Sequence, residues 1–434
     1  MNEIPARRRA TRYNASMLSK RERWILALLV VSAFINYIDR TTLSVGAASI
    51  QKELQLSNYR VGLLLSAFFW TYAACQLFAV AGWLVDRFHV GWVYAGGFLL
   101  WSAATAGTGI SRSFESLFAL RLLLGVGESV AYPAYARILA TFPERRRGLA
   151  NAAIDAGTRT GPAVGTLLGG LLMAGFGWRV FFLALGLGSM LWLAVWLFFM
   201  PDGRAAAVQK DDGEAPGVVD ILCQRSAWFS FFGLFCGNYF WYFLVTWLPA
   251  YMQKERHFPA PKMAVLGALA FFAAAASSVV SGWLSDRWIA AGATTTRVRK
   301  TFTGAGLALA TIILPVSVVR SDRTAMALLM LACAFIGMWS SNLWAITQTL
   351  AGPRAAGKWC AMQNGVGNLA GVAAPWVTGW VVERTGQFYF AFLVAAMVAL
   401  AGSAITILGI GPVEQVKFRR RGYGERLPAQ TPPR

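Results

Sequence analysis

Gly82-Trp83-Leu84-Val85-Asp86-Arg87 returns 200 residues later as Gly282-Trp283-Leu284-Ser285-Asp286-Arg287. Five of the six residues agree, and each segment follows a long apolar stretch. Self-similarity at a fixed offset is the mark of an internal repeat. Working outward from these two segments, twelve apolar runs divide the chain, near 24–46, 59–85, 90–110, 115–139, 149–174, 178–200, 227–252, 262–290, 299–319, 324–350, 358–382 and 387–411. Each is close to the ~20 residues that cross a ~30 Å hydrocarbon core as a helix. Six precede and six follow a polar segment, 201–226, that contains Pro201, Pro216 and the acids Asp211, Asp212 and Glu214. The expected fold is an all-α polytopic membrane protein of twelve transmembrane helices in two six-helix pseudo-repeats. Its expected parts are residues 1–200, a cytoplasmic linker at 201–226, and residues 227–434.

Composition agrees with that pattern. The chain is 56% hydrophobic and only 14% charged, against roughly 25% charged in soluble domains, and its mean hydropathy is +0.50. A net charge of +20 would point to nucleic acid in a soluble protein. Its placement points elsewhere. With residues near span ends counted in the adjoining connection, 26 of the 40 Lys and Arg fall in the termini and even-numbered connections, 10 in the odd-numbered ones, and four (Arg40, Arg121, Arg137, Arg159) remain within spans. That bias is the positive-inside pattern and puts both termini in the cytoplasm. The clusters Arg7-Arg8-Arg9, Arg145-Arg146-Arg147 and Arg419-Arg420-Arg421 then serve as orientation signals and contacts to anionic lipid.

Five cysteines, odd in number and without metal-ligand spacing, read as packing residues. The basic start continues through Asp39-Arg40 into further apolar sequence, which fits an uncleaved first helix. Neither a nucleophile constellation nor a cofactor fingerprint is present. The chain is therefore expected to be no enzyme, to bind no metal, cofactor or nucleic acid, and to act as a monomer.

Two parallel six-span repeats with a site between them near the midplane form a transporter plan. Ionisable residues at that depth are functional candidates by default. The first half offers six: Asp39 and Arg40 in span 1, Arg121 and Glu128 in span 4, Asp155 and Arg159 in span 5. The second half offers none. Arg121 and Glu128 share a face two turns apart, and Asp155 and Arg159 stand at i, i+4. Asp39 and Arg40 diverge by about 100°, and Arg40 shares its face with Asn36 and Tyr37, which makes Arg40 the cavity residue. For each pair the alternative is a purely structural ion pair. A carboxyl in low dielectric holds its proton more tightly unless paired, so Glu128 is expected to load a proton and leave a net positive cavity for an anion. His89 and His257 fall in connections and are poor relay candidates.

Other spans carry amides, phenols and indoles: Tyr72 and Gln76; Asn238, Tyr239, Trp241 and Tyr242; Asn342 and Trp344; Gln363, Asn364 and Asn368. Such groups suit a polyhydroxylated ligand, although polar residues also join membrane helices. Gly157, Gly161 and Gly165 recur every fourth residue beside Pro162, forming either a hinge or a packing seam. In the duplicated segments, Asp86, Arg87, Asp286 and Arg287 are expected to act in gating. There an Asp takes the amides of the following helix or an Arg across the interface.

These residues carry a family resemblance over nearly the whole chain. The duplicated Gly-Trp-Leu-x-Asp-Arg segments resemble the signature loop of the major facilitator superfamily. Asn36-Tyr37-Ile38-Asp39-Arg40, Arg121 through Gly127-Glu128, and Asn238-Tyr239-Phe240-Trp241-Tyr242 resemble its anion:cation symporter branch. That branch includes bacterial proton symporters for galactonate, hexuronate, glucarate and tartrate, and animal carriers of glutamate and sialic acid. The resemblance implies anion binding and coupling at Arg40 and Arg121, a proton site at Glu128 and a second coupling carboxylate at Asp39. It implies substrate contacts at Tyr37, Tyr72, Arg159 and Asn364. Two departures stand out. Arg159 replaces a neutral amide of the galactonate type, which bears on substrate identity, and the Asp86 segment continues Phe88-His89-Val90-Gly91 without the usual basic residue. The expected activity is proton-coupled symport of a small organic anion, such as a sugar acid. The alternatives are an organic-anion exchanger without proton coupling and a multidrug:proton antiporter, which Gly157-x-x-x-Gly161-Pro162 resembles.

Overall fold

The computed structural model describes residues 19–78, 80–139, 141–142, 144–201 and 216–418, and within these not the side chains of 86, 144–149, 151, 152, 155, 159, 353, 354 and 357. The three triple-arginine clusters, the acids at 211–214 and the side chains of Asp86, Asp155 and Arg159 therefore lie outside the described residues. Every regular element among the described residues is helical. Span 1 is Lys20–Glu53, span 2 is Asn58–Leu77 followed by Val80–Arg87, span 3 is Val90–Ile110, and span 4 is Phe114–Ser129 with Ala131–Leu139. Spans 5 and 6 form the run Glu144–Phe199, broken at Gly177. After a short helix, Val218–Leu222, come span 7 (Arg225–Lys254), span 8 (Ala260–Ala290) and span 9 (Thr295–Ala310 with the 3₁₀ turn Thr311–Ser317). Spans 10 and 11 form the run Asp322–Thr385, broken at Gly352, and span 12 is Tyr389–Ala404. Eight of the helical stretches are individually long and apolar enough to cross a membrane. Dividing the two long runs and counting spans 2 and 3 gives the twelve crossings of the fold.

The two breaks have a common cause. Gly177 has φ 81° and Gly352 has φ 65°, a region that a side-chain-bearing residue enters only at a cost. Helical geometry resets there without a long loop. Span 4 is interrupted differently. Pro133 has no N–H to give the carbonyl of Ser129, and the helix stops at Ser129 and restarts at Ala131, directly after Glu128.

Large apolar side chains such as Leu191, Phe198 and Leu408 stand exposed on the outside, as contact with lipid requires. Within the first six spans, Phe98 stacks on Trp192 at 4.0 Å, and Trp192 on Trp196 at 5.2 Å. Beside them Tyr94 donates to Ser32 Oγ at 2.6 Å. The glycine series of span 5 is a packing seam. A Cβ on Gly157 would meet Val30 O at 3.0 Å, on Gly161 the Tyr37 Cβ at 2.5 Å, and on Gly165 the Thr41 Oγ1 at 2.5 Å. Span 5 thus lies directly on the face of span 1 that carries Tyr37, and only glycine permits that approach.

The first and last six spans meet closely at the end of the bundle opposite the two Gly-Trp-Leu segments. There a Cβ on Gly62 of span 2 would fall 2.7 Å from Pro375 O of span 11, and one on Gly170 of span 5 would fall 2.4 Å from Ala264 Cβ of span 8. Polar ties converge on Asn58. Its Oδ1 accepts from Lys254 Nζ at 2.8 Å and from Gln51 Nε2 at 3.0 Å. Lys254 also donates to Gln51 Oε1. Glu383 of span 11 accepts from the backbone N–H groups of Asn58 and Tyr59 at 2.8 and 3.3 Å, capping span 2 from the other set of spans. At the opposite end, Asp286 accepts from Arg299 Nη2 at 2.5 Å, and Arg299 also reaches Ser285 Oγ at 2.6 Å and Asn342 Oδ1 at 3.0 Å. These contacts stay within the last six spans. Arg87 is exposed, and Arg287 lies exposed over the Trp283 ring at 5.3 Å.

Candidate functional site

Between the two sets of spans lies a cavity of about 950 Å³. Its lining runs from Arg40 at mid-depth to Gly82, Gln348 and Cys360 at the end that carries the duplicated segments. Arg40, Tyr37, Tyr72, Asn364 and Pro162 all line it, whereas Asp39, Arg121, Glu128 and Gly161 do not.

The charged core is built on spans 1 and 4. Arg40 Nε donates to Glu128 Oε2 at 3.0 Å, and both side chains are buried, Glu128 completely. The guanidinium lies 4.6 Å from the Tyr37 ring centre, 4.7 Å from Tyr72 and 5.0 Å from Phe68. Three rings thus hold one cation by their negative faces, and the seam of span 5 on span 1 fixes where Tyr37 stands. Tyr37 Oη is 3.1 Å from Tyr132 Oη. Arg121 is buried, with its guanidinium 5.4 Å from the same Phe68 ring. Asp39 is turned from the cavity toward span 3, where Thr105 Oγ1 donates to its Oδ1 at 3.3 Å.

Span 4 alone suggested Arg121 as the neighbour of Glu128. The hydrogen-bonded partner is instead Arg40, whose long side chain reaches Glu128 from span 1. Among the described residues, Arg40, Arg121, Asp39 and Glu128 balance to zero charge when all are ionised. Yet Arg40 Nη2, Arg121 Nε, Asp39 Oδ2 and Glu128 Oε1 have no hydrogen-bond partner among the described residues. Buried polar atoms left unmade cost about 1–3 kcal/mol each.

The opposite wall is neutral. Asn364 Nδ2 donates to Gln76 Oε1 at 3.1 Å, Asn368 Nδ2 donates to the same oxygen at 3.3 Å, and Tyr242 Oη donates to Asn368 Oδ1 at 2.8 Å. Trp241, Trp339 and Trp344 add indole surface. Tyr132 and Phe68 were not singled out from the sequence, although Tyr132 stands four residues after Glu128 and Phe68 four before Tyr72, spacings that share a helix face. Thr105 gave no such signal. No group of three His, Cys, Asp or Glu among the described residues could hold a metal ion.

The sequence profile of the Major Facilitator Superfamily matches residues 29–375. The chain belongs to the major facilitator superfamily. It is 30% identical to the probable sulfoacetate transporter of Cupriavidus necator, over 94% of this chain and 97% of that one. It is 29% identical to the D-galactonate transporter of Escherichia coli, over 93% and 99%, and 27% identical to the probable galactarate/D-glucarate transporter of Bacillus subtilis, over 95% and 96%. In fold it is similar to a bacterial homolog of the human lysosomal transporter Spinster in an inward-facing, occupied conformation. There the TM-score is 0.79 at 17% identity, covering 91% of this chain and 97% of that one. This major facilitator protein is thus a multi-pass membrane transporter and not an enzyme, with its cavity where two six-span repeats meet.

Proposed function

We propose that the protein is a secondary active transporter that carries a small organic anion together with protons by alternating access. The observation that carries this reading is the Arg40–Glu128 pair. Among the described residues Arg40 is the cation that lines the cavity, and the carboxylate it hydrogen-bonds, Glu128, is wholly buried behind it. A proton on Glu128 removes the charge that holds Arg40 Nε and releases the guanidinium to an incoming carboxylate, which it can grip with two parallel N–H bonds. Proton and anion then favour the same state of the protein, which is the requirement for coupling. Asp39, close to Glu128 and Arg121 but outside the cavity, is the candidate for a second coupling carboxylate. Tyr37, Tyr72, Asn364 and Arg159 are the candidate substrate contacts. Relatives named for galactonate, galactarate, glucarate, hexuronate and sulfoacetate support an anionic cargo.

In this reading residues 1–200 and 227–434 rock about the cavity, both termini are cytoplasmic, and the protein works as a monomer in a bacterial inner membrane. The Asn58 cluster then closes the periplasmic end while the cytoplasmic end stands open. A drug:proton antiporter is disfavoured, since a cavity lined by Arg40 is a poor site for a cationic drug. The direct test is uptake of radiolabelled D-galactonate and sulfoacetate into proteoliposomes with an inward pH gradient. Accumulation of either above equilibrium, collapsed by a protonophore, is the expected result. Exchange against internal anion that ignores the gradient would establish the uncoupled exchanger instead.

A further inference from the structure

We infer that Val80–Arg87 of span 2 and Ala131–Leu139 of span 4 form a hinged gate at the cavity mouth that carries the duplicated segments. The gate moves against the rest of the first six spans and has no counterpart in the last six. It rests on the alternating-access reading and adds a local motion to it.

The two repeats differ where they should match. Span 2 stops at Leu77, with Phe78 in a turn whose N–H donates to Ala74 O at 3.0 Å, and resumes at Val80. At the 200-residue offset of the duplicated segments, span 8 runs unbroken from Ala260 to Ala290. Span 4 stops at Ser129 and resumes at Ala131, whereas span 10 is continuous from Asp322 to the break at Gly352. The half-spans beyond the two interruptions pack on one another, with Ala81 and Val85 in one apolar core with Ala134, Tyr135 and Ile138. A helix whose ladder is already interrupted can bend at that point without losing further hydrogen bonds.

The duplicated glycines have unlike surroundings. A Cβ on Gly282 would lie 3.6 Å from Ser341 Oγ, and Arg299 ties the same end of the second repeat to Asp286, Ser285 and Asn342. A Cβ on Gly82 would meet nothing within 4 Å. Ala81, Gly82, Pro133 and Ala136 all line the cavity, so the gate faces open volume with residues small enough to approach the opposite wall. Tyr135 holds it in its observed position, with Oη 3.2 Å from Ser32 Oγ and 3.1 Å from Tyr94 Oη. That latch can part without orphaning its partners. Tyr94 still donates to Ser32 at 2.6 Å, and Ser32 to Leu29 O at 2.8 Å.

The hinge of span 4 adjoins the charged core. Ala131 stands just after Glu128 in the chain, and Tyr132 Oη is 3.1 Å from Tyr37 Oη, whose ring centre lies 4.6 Å from the Arg40 guanidinium. A change of partner by Arg40 therefore bears on a ring that is bonded to the first turn of the gate. This links an occupied site to a closing mouth through named contacts and a segment able to move.

The test measures spin-label distances in proteoliposomes by double electron–electron resonance, using the full-length protein with its five cysteines replaced by alanine. Labels at Trp83 and Phe198 read the gate against its own repeat. Labels at Trp283 and Leu408 read the matching distance in the second repeat, and Phe198 with Leu408 reads one set of spans against the other. All four positions are exposed. Between alkali without ligand and acid with D-galactonate, the Trp83–Phe198 distance should shift by about 5 Å, one helical turn, while Trp283–Leu408 stays fixed. Pro133→Ala gives the Ser129 carbonyl its missing donor, and should abolish the shift and slow D-galactonate counterflow roughly tenfold. Tyr135→Phe removes the latch and should move the alkaline distance toward the acidic one. A shift confined to Phe198–Leu408 means that the two sets of spans rock as rigid bodies, which overturns the gate and leaves transport standing. An equal shift of Trp283–Leu408, or a shift that survives in a folded Pro133→Ala protein, overturns the gate as well. Constancy of all three distances overturns the alternating-access reading along with it.

Discussion

The two walls of the cavity are built from different chemistry. Spans 1 and 4 carry two arginines and two carboxylates, all buried, of which Arg40 reaches the cavity, packed against three aromatic rings, and the other three lie behind it. On spans 7, 10 and 11 lie amides, a phenol and indoles, and none of these is ionised at neutral pH. Two walls of equal charge would each need counter-charges of their own, and buried ions are costly to desolvate. In the proposed function, concentrating charge on one side would let a single ionisation event govern it, while the neutral wall would be left to recognise the shape of the cargo.

The contrast predicts very unequal effects of mutation. Removing Arg40 should be the most severe change. Arg40→Ala should weaken D-galactonate binding by more than a hundredfold and also lower the melting temperature, because Glu128 is left as an unpaired buried charge, a loss of about 3–5 kcal/mol. The double variant Arg40→Ala/Glu128→Gln separates the two effects: melting temperature should recover while binding does not. Recovery of binding in the double variant would mean that the charged wall does not hold the anion.

Next in size is Glu128→Gln alone. The amide is a permanent stand-in for the protonated acid, so counterflow between two galactonate-loaded compartments should continue at a rate within about fivefold of wild type. Accumulation driven by a pH gradient should vanish. Wild-type accumulation in this variant would move the proton site elsewhere, with Asp39 the next candidate. The smallest effect should come from the neutral wall. Asn238 lines the cavity but donates to Gly367 O at 3.1 Å within the last six spans. A neutral hydrogen bond contributes about 1 kcal/mol, so Asn238→Ala should change galactonate affinity by no more than about fivefold. A hundredfold loss there would erase the distinction between the walls.

The sequence revealed the fold through features that survive averaging over a whole span. Length, hydropathy and a duplicated segment need no knowledge of neighbours, and the twelve runs match the helices because lipid imposes the same demand on each. Arg40 was legible for the same reason, as a charge in an apolar run on one face with Tyr37. Its partner was not. Glu128 lies 88 residues away on another span, and helical spacing ranks partners only within one helix, which is why Arg121 looked nearer. The amide cluster of Gln76, Asn364 and Asn368 was further out of reach, since it forms only where two spans meet. Lys254 and Glu383 lie in connections that sequence reads as generic loops, so the Asn58 cluster gave no signal at all.

Glu383 caps a helix to which it does not belong. Two amides at the start of span 2 have their acceptor on span 11, so no motion that separates these helices can leave the amides as they are. They must find water at the moment of parting, as must Lys254, which gives up Gln51 and Asn58. Opening at this end is therefore a wetting event before it is a mechanical one.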